Sequence, residues 1–174
     1  MIESNYYSRE MQGPYQVHDI GNPELEEGGT ILGCKLAHAA SGKLNAAKDD
    51  AFLIPTWYGG AIKTIEQVYI GPGRTLDPDR YFIIVINRIG SGLSTSPHNM
   101  PRPAGMANFP RVGIGDDVRA QYKLITEKFG VDSLALVAGG SMGAQQTDEW
   151  AVRYPHIVKR AGQTVRCHGH IPRR

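Results

Sequence analysis

Residues 134–155 read LALVAGGSMGAQQTDEWAVRYP, and five of them, Gly139-Gly140-Ser141-Met142-Gly143, match G-x-S-x-G. That pattern places a nucleophilic serine on a sharp turn between a strand and a helix. The flanks supply both elements. Ser133 to Ala138 is a fully apolar run of strand length, and Met142 to Tyr154 reads as a helix closed by Pro155. Gly139 and Gly143 stand two residues before and two after Ser141, where side chains would collide if strand and helix pass close together. The first amides of such a helix, and its dipole, favour negative charge developing beside the serine. A chain with 21 glycines also produces this match by chance, with Gly-Gly as a plain turn. The strand and helix on either side favour the catalytic reading.

Upstream, strands and helices interleave. Tyr15–Ile20 and Gly33–Ala40 read as short strands, Ala51–Pro55 as a brief apolar one, and Tyr81–Ile86 as a β-branched run ahead of the glycine-rich loop 90–92. Continuous apolar runs of this kind belong to strands covered on both faces. Val118, Tyr122, Ile125 and Phe129 recur at helical spacing, which predicts a helix over Asp116–Phe129 stopped by Gly130. The order describes an α/β protein with a mostly parallel sheet and flanking helices. A serine site of this type draws its second oxyanion donor from a loop after an earlier strand. Pro55-Thr-Trp-Tyr-Gly-Gly60 is the candidate, a plain turn over a packed aromatic being the alternative.

Composition bounds the partners. With 174 residues, 41% apolar and 21% charged, the chain has the make-up of a soluble globular domain. A formal net charge of +2 does not point to nucleic acid or an anionic membrane, although residues 166–174, RCHGHIPRR, are locally basic. The N-terminus shows no secretory pattern and no long apolar span occurs, so a cytoplasmic location is expected. Cys34 and Cys167 match no metal or redox spacing and read as free thiols, and Cys167-His168-Gly-His170 is too crowded for usual zinc ligation. His18, His38, His98 and His156 are isolated and read as structural or solvent-facing. Gly71–Arg74 and Gly90–Ser94 lack phosphate-loop spacing and read as loops at the rim of the sheet.

Four blocks in order carry a resemblance: LNAAKDDAFLIPTWYGG (44–60), IGPGRTLDPDRYFIIVIN (70–87), FPRVGIGDDVRAQYKLITEKFGV (109–131) and the serine stretch itself. Together they resemble the homoserine O-acetyltransferase family of α/β-hydrolase-fold acyltransferases, over roughly residues 15–161. The resemblance implies that Ser141 takes an acetyl group from acetyl-CoA and passes it to homoserine. It also implies that the Met142 and Tyr58 N–H groups form the oxyanion hole. It implies a small-molecule substrate and no resident cofactor or metal. Ester or thioester hydrolysis by the same fold, and a non-enzymatic remnant, remain open alternatives.

The family carries its acid and histidine far downstream of the serine, and no residue here inherits those roles. The nominal order Ser141, Asp148, His168 or His170 fails on geometry. Asp148 is seven residues along a helix that leaves the serine, roughly 10 Å down its axis. From Gly162 the likeness fades, which divides the chain into residues 1–161, the N-terminal part of an α/β-hydrolase domain, and a divergent basic tail, 162–174. This is the expectation for a chain truncated after the serine helix. On that reading Ser133–Ala138 becomes an apolar sheet edge prone to self-association.

Overall fold

The computed structural model describes residues 5–164. After a short helix α1 (Arg9–Gln12), six strands build one sheet: β1 (Gln16–Gly21), β2 (Cys34–Ser41), β3 (Ala51–Pro55), β4 (Phe82–Ile86), β5 (Leu134–Gly139) and β6 (Ala161–Gln163). They lie in the order β1-β2-β4-β3-β5-β6. The first two pairings are antiparallel, whereas β4, β3, β5 and β6 run parallel to one another. Three further helices, α2 (Ile62–Tyr69), α3 (Ile114–Phe129) and α4 (Met142–Arg153), connect and cover them.

Period-two alternation in the central strands sorts the core into two layers. Ile84 and Ile86 join Leu53, Leu36 and Val137 on the face covered by α3 and α4, with Leu124, Ile125 and Trp150 closing it. Ile83 and Val85 turn the other way, with Ile54 and Ala37, against Ile62 and Ile65 of α2. All five residues of β4 are buried, so the strand must be apolar on both faces. Each fully buried aliphatic side chain contributes about 1.5–3 kcal/mol relative to exposure.

One difference from the sequence reading has a local cause. Helix α3 begins at Ile114 rather than Asp116, because Asp116 Oδ2 turns back to accept the Gly113 N–H at 2.8 Å and closes an earlier first turn. Its end is as expected. Gly130 takes φ +60°, and the Gly130 and Val131 N–H groups return to Thr126 and Ile125 carbonyls.

The larger correction concerns the sheet edge. Strand β5 is not an edge, since Val137, Ala138 and Gly139 pair with Ala161, Gly162 and Gln163 of β6. The chain turns at Tyr154–Val158, and the Lys159 N–H donates to the Leu134 carbonyl at 2.9 Å, which feeds β6 alongside β5. The Ser133–Ala138 run is therefore paired along both of its edges, and β6 straddles the boundary drawn between residues 161 and 162. No helix among the described residues is long and apolar enough to cross a membrane.

Candidate active site

Ser141 sits at the junction of β5 and α4 with φ 54° and ψ −121°, a backbone conformation that non-glycine residues rarely adopt. The glycines around it are there for space. A Cβ on Gly139 would lie 2.4 Å from the Gly143 carbonyl group, and one on Gly143 would lie 2.7 Å from the Pro55 carbonyl oxygen. Strand β5, helix α4 and the end of β3 thus converge at van der Waals contact, and only glycine leaves room. The turn is sealed by the Gly143 N–H donating to the Gly140 carbonyl at 2.8 Å and the Ala144 N–H to the Ser141 carbonyl at 3.0 Å. The Met142 N–H belongs to the first turn of α4, whose amides have no intrahelical acceptor.

The loop after β3 runs beside that turn. Thr56 is fully buried, and its N–H donates to the Ile86 carbonyl at 3.1 Å. The Gly60 N–H returns to the Trp57 carbonyl at 3.1 Å, Ser91 Oγ donates to the Tyr58 carbonyl at 3.3 Å, and Gln146 Nε2 of α4 donates to the Thr56 carbonyl at 3.0 Å. A Cβ on Gly60 would lie 2.6 Å from the Trp57 indole, so a larger residue there would have to displace that ring. The Tyr58 side chain itself is 73% exposed.

Behind this loop lies a buried ion pair that sequence reasoning did not find. Arg88 Nε donates to Asp117 Oδ2 at 3.1 Å, and Asp117 Oδ1 accepts the Ile89 N–H at 2.7 Å. Burial pushes the Asp117 carboxyl up to about 6 against the opposing pull of Arg88. Arg88 Nη1 also reaches Ser91 Oγ at 3.4 Å, so the pair braces the residue that holds the Tyr58 carbonyl. Gly90 and Gly92 take φ +85° and +98°, which shapes the glycine-rich stretch as a rim loop.

Two cavities flank these elements. One of about 570 Å³ is lined by Ile54, Trp57, Tyr69, Leu136 and the elbow glycines Gly139 and Gly140. A smaller one of about 170 Å³ lies among Tyr6, Tyr7, Tyr58, Gly60 and Ser91. Both present mainly apolar and aromatic side chains, which suits small uncharged groups.

Other candidate residues stand apart from Ser141. Asp148 is on the exposed side of α4 and accepts a hydrogen bond from Gln163 Nε2, tying the helix to β6. His18 and His38 are on β1 and β2, with two further strands between them and β5. His98 stacks on Tyr7 with 4.8 Å between ring centroids, and His156 follows the far end of α4. Cys34 is buried, and burial pushes its thiol up to about 12, so it is an unreactive core residue. Cys167, His168 and His170 lie outside the described residues. Among the described residues no cluster of three or more histidine, cysteine or acidic side chains could hold a metal ion.

Comparison with known proteins adds an independent line. A family model for the alpha/beta hydrolase fold matches residues 53–161. The chain is 56% identical over 158 residues to an ethyl acetate hydrolase of Pseudomonas veronii, covering 91% of this chain and 45% of that protein. It superimposes with a TM-score of 0.91 on an acetylester hydrolase from Corynebacterium glutamicum, at 52% identity over 94% of this chain and 48% of that one. A homoserine O-acetyltransferase of Solidesulfovibrio magneticus is more distant, at 38% identity, covering 84% of this chain and 41% of that protein. The chain thus spans about half the length of the curated relatives it matches.

Proposed function

The chain belongs to the alpha/beta hydrolase fold family, and from that premise we propose that it carries the nucleophile and oxyanion half of a short-chain ester hydrolase site. Ser141 is the nucleophile, and the Met142 and Tyr58 N–H groups are the donors to the oxyanion. The observation that carries this reading is the strained Ser141 backbone, held between Gly139 and Gly143 at a strand–helix junction. Backbone strain of this kind is retained where the surroundings enforce it and function uses it.

In the proposed reaction Ser141 Oγ attacks the ester carbonyl carbon, and the carbonyl oxygen becomes an oxyanion facing the two amides. Collapse breaks the bond to the alkoxy group, which leaves as the alcohol with the proton lost by the serine. Water then attacks the acyl-serine, releasing the carboxylic acid and restoring the hydroxyl. Fixed amides contribute because they need no reorganisation as charge develops, and losing one such donor costs about 10²–10³ in rate.

The resemblance to homoserine O-acetyltransferases favoured acyl transfer from acetyl-CoA to homoserine. The relatives shift that balance toward hydrolysis, since the esterases are 54–56% identical and a homoserine O-acetyltransferase only 38%. Acyl transfer stays as the second reading, supported by the same elbow and by those more distant relatives.

Acetate release measured with ethyl acetate, with p-nitrophenyl acetate and with acetyl-CoA, each with and without homoserine, tests the choice. With the downstream half of the site present, as in the longer esterase relatives, ester hydrolysis that is lost in Ser141→Ala and indifferent to homoserine is the expected result. Consumption of acetyl-CoA that depends on homoserine would replace hydrolysis with transfer.

A further inference from the structure

We infer that Gln146 is a positioning residue that locks the candidate oxyanion loop to the nucleophile helix, with Ser91 as its counterpart on the other side of the loop. The inference rests on the reading of Ser141 and Tyr58 given above. Gln146 lies one turn into α4 and is fully buried, an unusual place for an amide unless each of its atoms has a partner.

The direction of that amide is fixed by a neighbour that has no choice. Trp150 Nε1–H can only donate, and it donates to Gln121 Oε1 of α3 at 2.9 Å. Gln121 must therefore offer its Nε2, which meets Gln146 Oε1 at 2.5 Å. Gln146 is left with Nε2 facing the Thr56 carbonyl at 3.0 Å and, more weakly, the Met142 carbonyl at 3.4 Å. Binding α3 to α4 would require only the Gln121–Gln146 bond. The further bond to Thr56 reaches out of the helix pair, to the residue where the loop begins.

Three consecutive carbonyls of that loop are held in this way. Thr56 is held by Gln146, Trp57 by the Gly60 N–H and Tyr58 by Ser91 Oγ. In a trans peptide the N–H points opposite to the carbonyl of the preceding residue. With the Trp57 carbonyl directed at Gly60, the Tyr58 N–H is aimed away from that turn. Carbonyls pinned on both sides keep the peptide plane from rotating. Because Gln146 and Met142 share the first turns of α4, one side chain sets the spacing between the two proposed donors.

The test is the reaction of p-nitrophenyl ethyl methylphosphonate with the protein at the length of its esterase relatives, where the downstream half of the site is present. The Ser141 Oγ–P bond forms, the P–O bond to nitrophenol breaks, nitrophenolate leaves, and the serine proton passes to solvent. Its P=O oxygen draws on the same donors, and the kinetics separate the maximal labelling rate from the half-saturating concentration. The variants are Ser141→Ala, Gln146→Met, Ser91→Ala and Leu124→Ala, the last a core truncation in α3 with no bond to the loop, all compared at a temperature where each is folded by circular dichroism.

The expected result is wild-type labelling that Ser141→Ala abolishes, with Gln146→Met lowering the maximal rate tenfold or more. Its half-saturating concentration should stay within about threefold, and Leu124→Ala should label within twofold of wild type. Gln146→Met labelling at the wild-type rate overturns the inference and leaves the Ser141 reading standing. Should Gln146→Met not fold, Ser91→Ala decides: a threefold or greater loss of maximal rate supports the inference, and an unchanged rate overturns it. An unlabelled wild-type protein of that length overturns the Ser141 reading and the inference with it.

Discussion

The elbow at 139–143 and the loop at 55–60 lie against each other, yet different forces hold them. Steric exclusion fixes the elbow: backbone meets backbone at distances no Cβ can enter. Hydrogen bonds fix the loop, from donors 3, 33 and 90 residues away in sequence. The difference teaches where each can fail. A contact made only of main chain has no soft side chain that could yield, whereas a bond from a glutamine or serine can be removed singly.

The most severe way to break the comparison is therefore at the elbow. Gly139→Val places a branched side chain where even a Cβ is 2.4 Å from the Gly143 main chain. Neither β5 nor α4 can retreat without disturbing the sheet. The expected loss is about 4 kcal/mol or more, at the exceptional end of single substitutions, measured by denaturant unfolding. A variant as stable as wild type would show that the junction is looser than the distances imply.

This contrast also explains what the sequence made legible. The elbow was readable because its signal is local: five residues, an apolar strand before them and a helix after. The strands from Ala51 and from Tyr81, and the helix stopped by Gly130, were readable for the same reason. Helix α2 was missed although Ile62 and Ile65 have helical spacing, because eight residues give that period too little length to register. Strand β6 is three residues long and bears no apolar pattern, so only its pairing with β5 reveals it. Gln146 and Asp117 carry no local sign of their burial. Their burial depends on what α3, α4 and the rim loop bring together, and no local pattern encodes that.

A second expected effect sharpens the comparison by supplying a loss of stability that touches neither region. His38 is buried on β2, edge-on to Phe129 at 5.6 Å, and burial pulls its pKa from 6.5 down to about 4. The folded value lies below the unfolded one, so the imidazole is neutral in the fold. Its stabilising contribution is complete above pH 6.5, falls as the pH drops toward 4, and is flat below. The whole change is about 3 kcal/mol. Asp117 has the opposite sign, because a raised carboxyl loses its contribution as the pH climbs from 3.8 to about 6. Denaturant unfolding of wild type against His38→Leu isolates the histidine: the difference between them should shift by about 3 kcal/mol from pH 7 to pH 4. A difference independent of pH would show that His38 is hydrated in the fold.

The smallest effect asks whether the elbow's strain is real. Ser141 occupies φ 54° and ψ −121°, where a side chain other than glycine's costs on the order of 1–3 kcal/mol. Ser141→Gly removes the cost at that residue but enlarges the conformational freedom of the unfolded chain, which takes back about 0.5–1 kcal/mol. The net expectation is a gain of about 1 kcal/mol, read as a higher unfolding midpoint at unchanged slope. Gain of stability together with loss of phosphonate labelling would mark a residue kept strained for chemistry. Substitution at Gly139 or Gly143 does not share that sign, since a Cβ there would meet main chain at 2.4 and 2.7 Å. A destabilised Ser141→Gly would mean instead that the serine side chain contributes more through its contacts than its backbone costs.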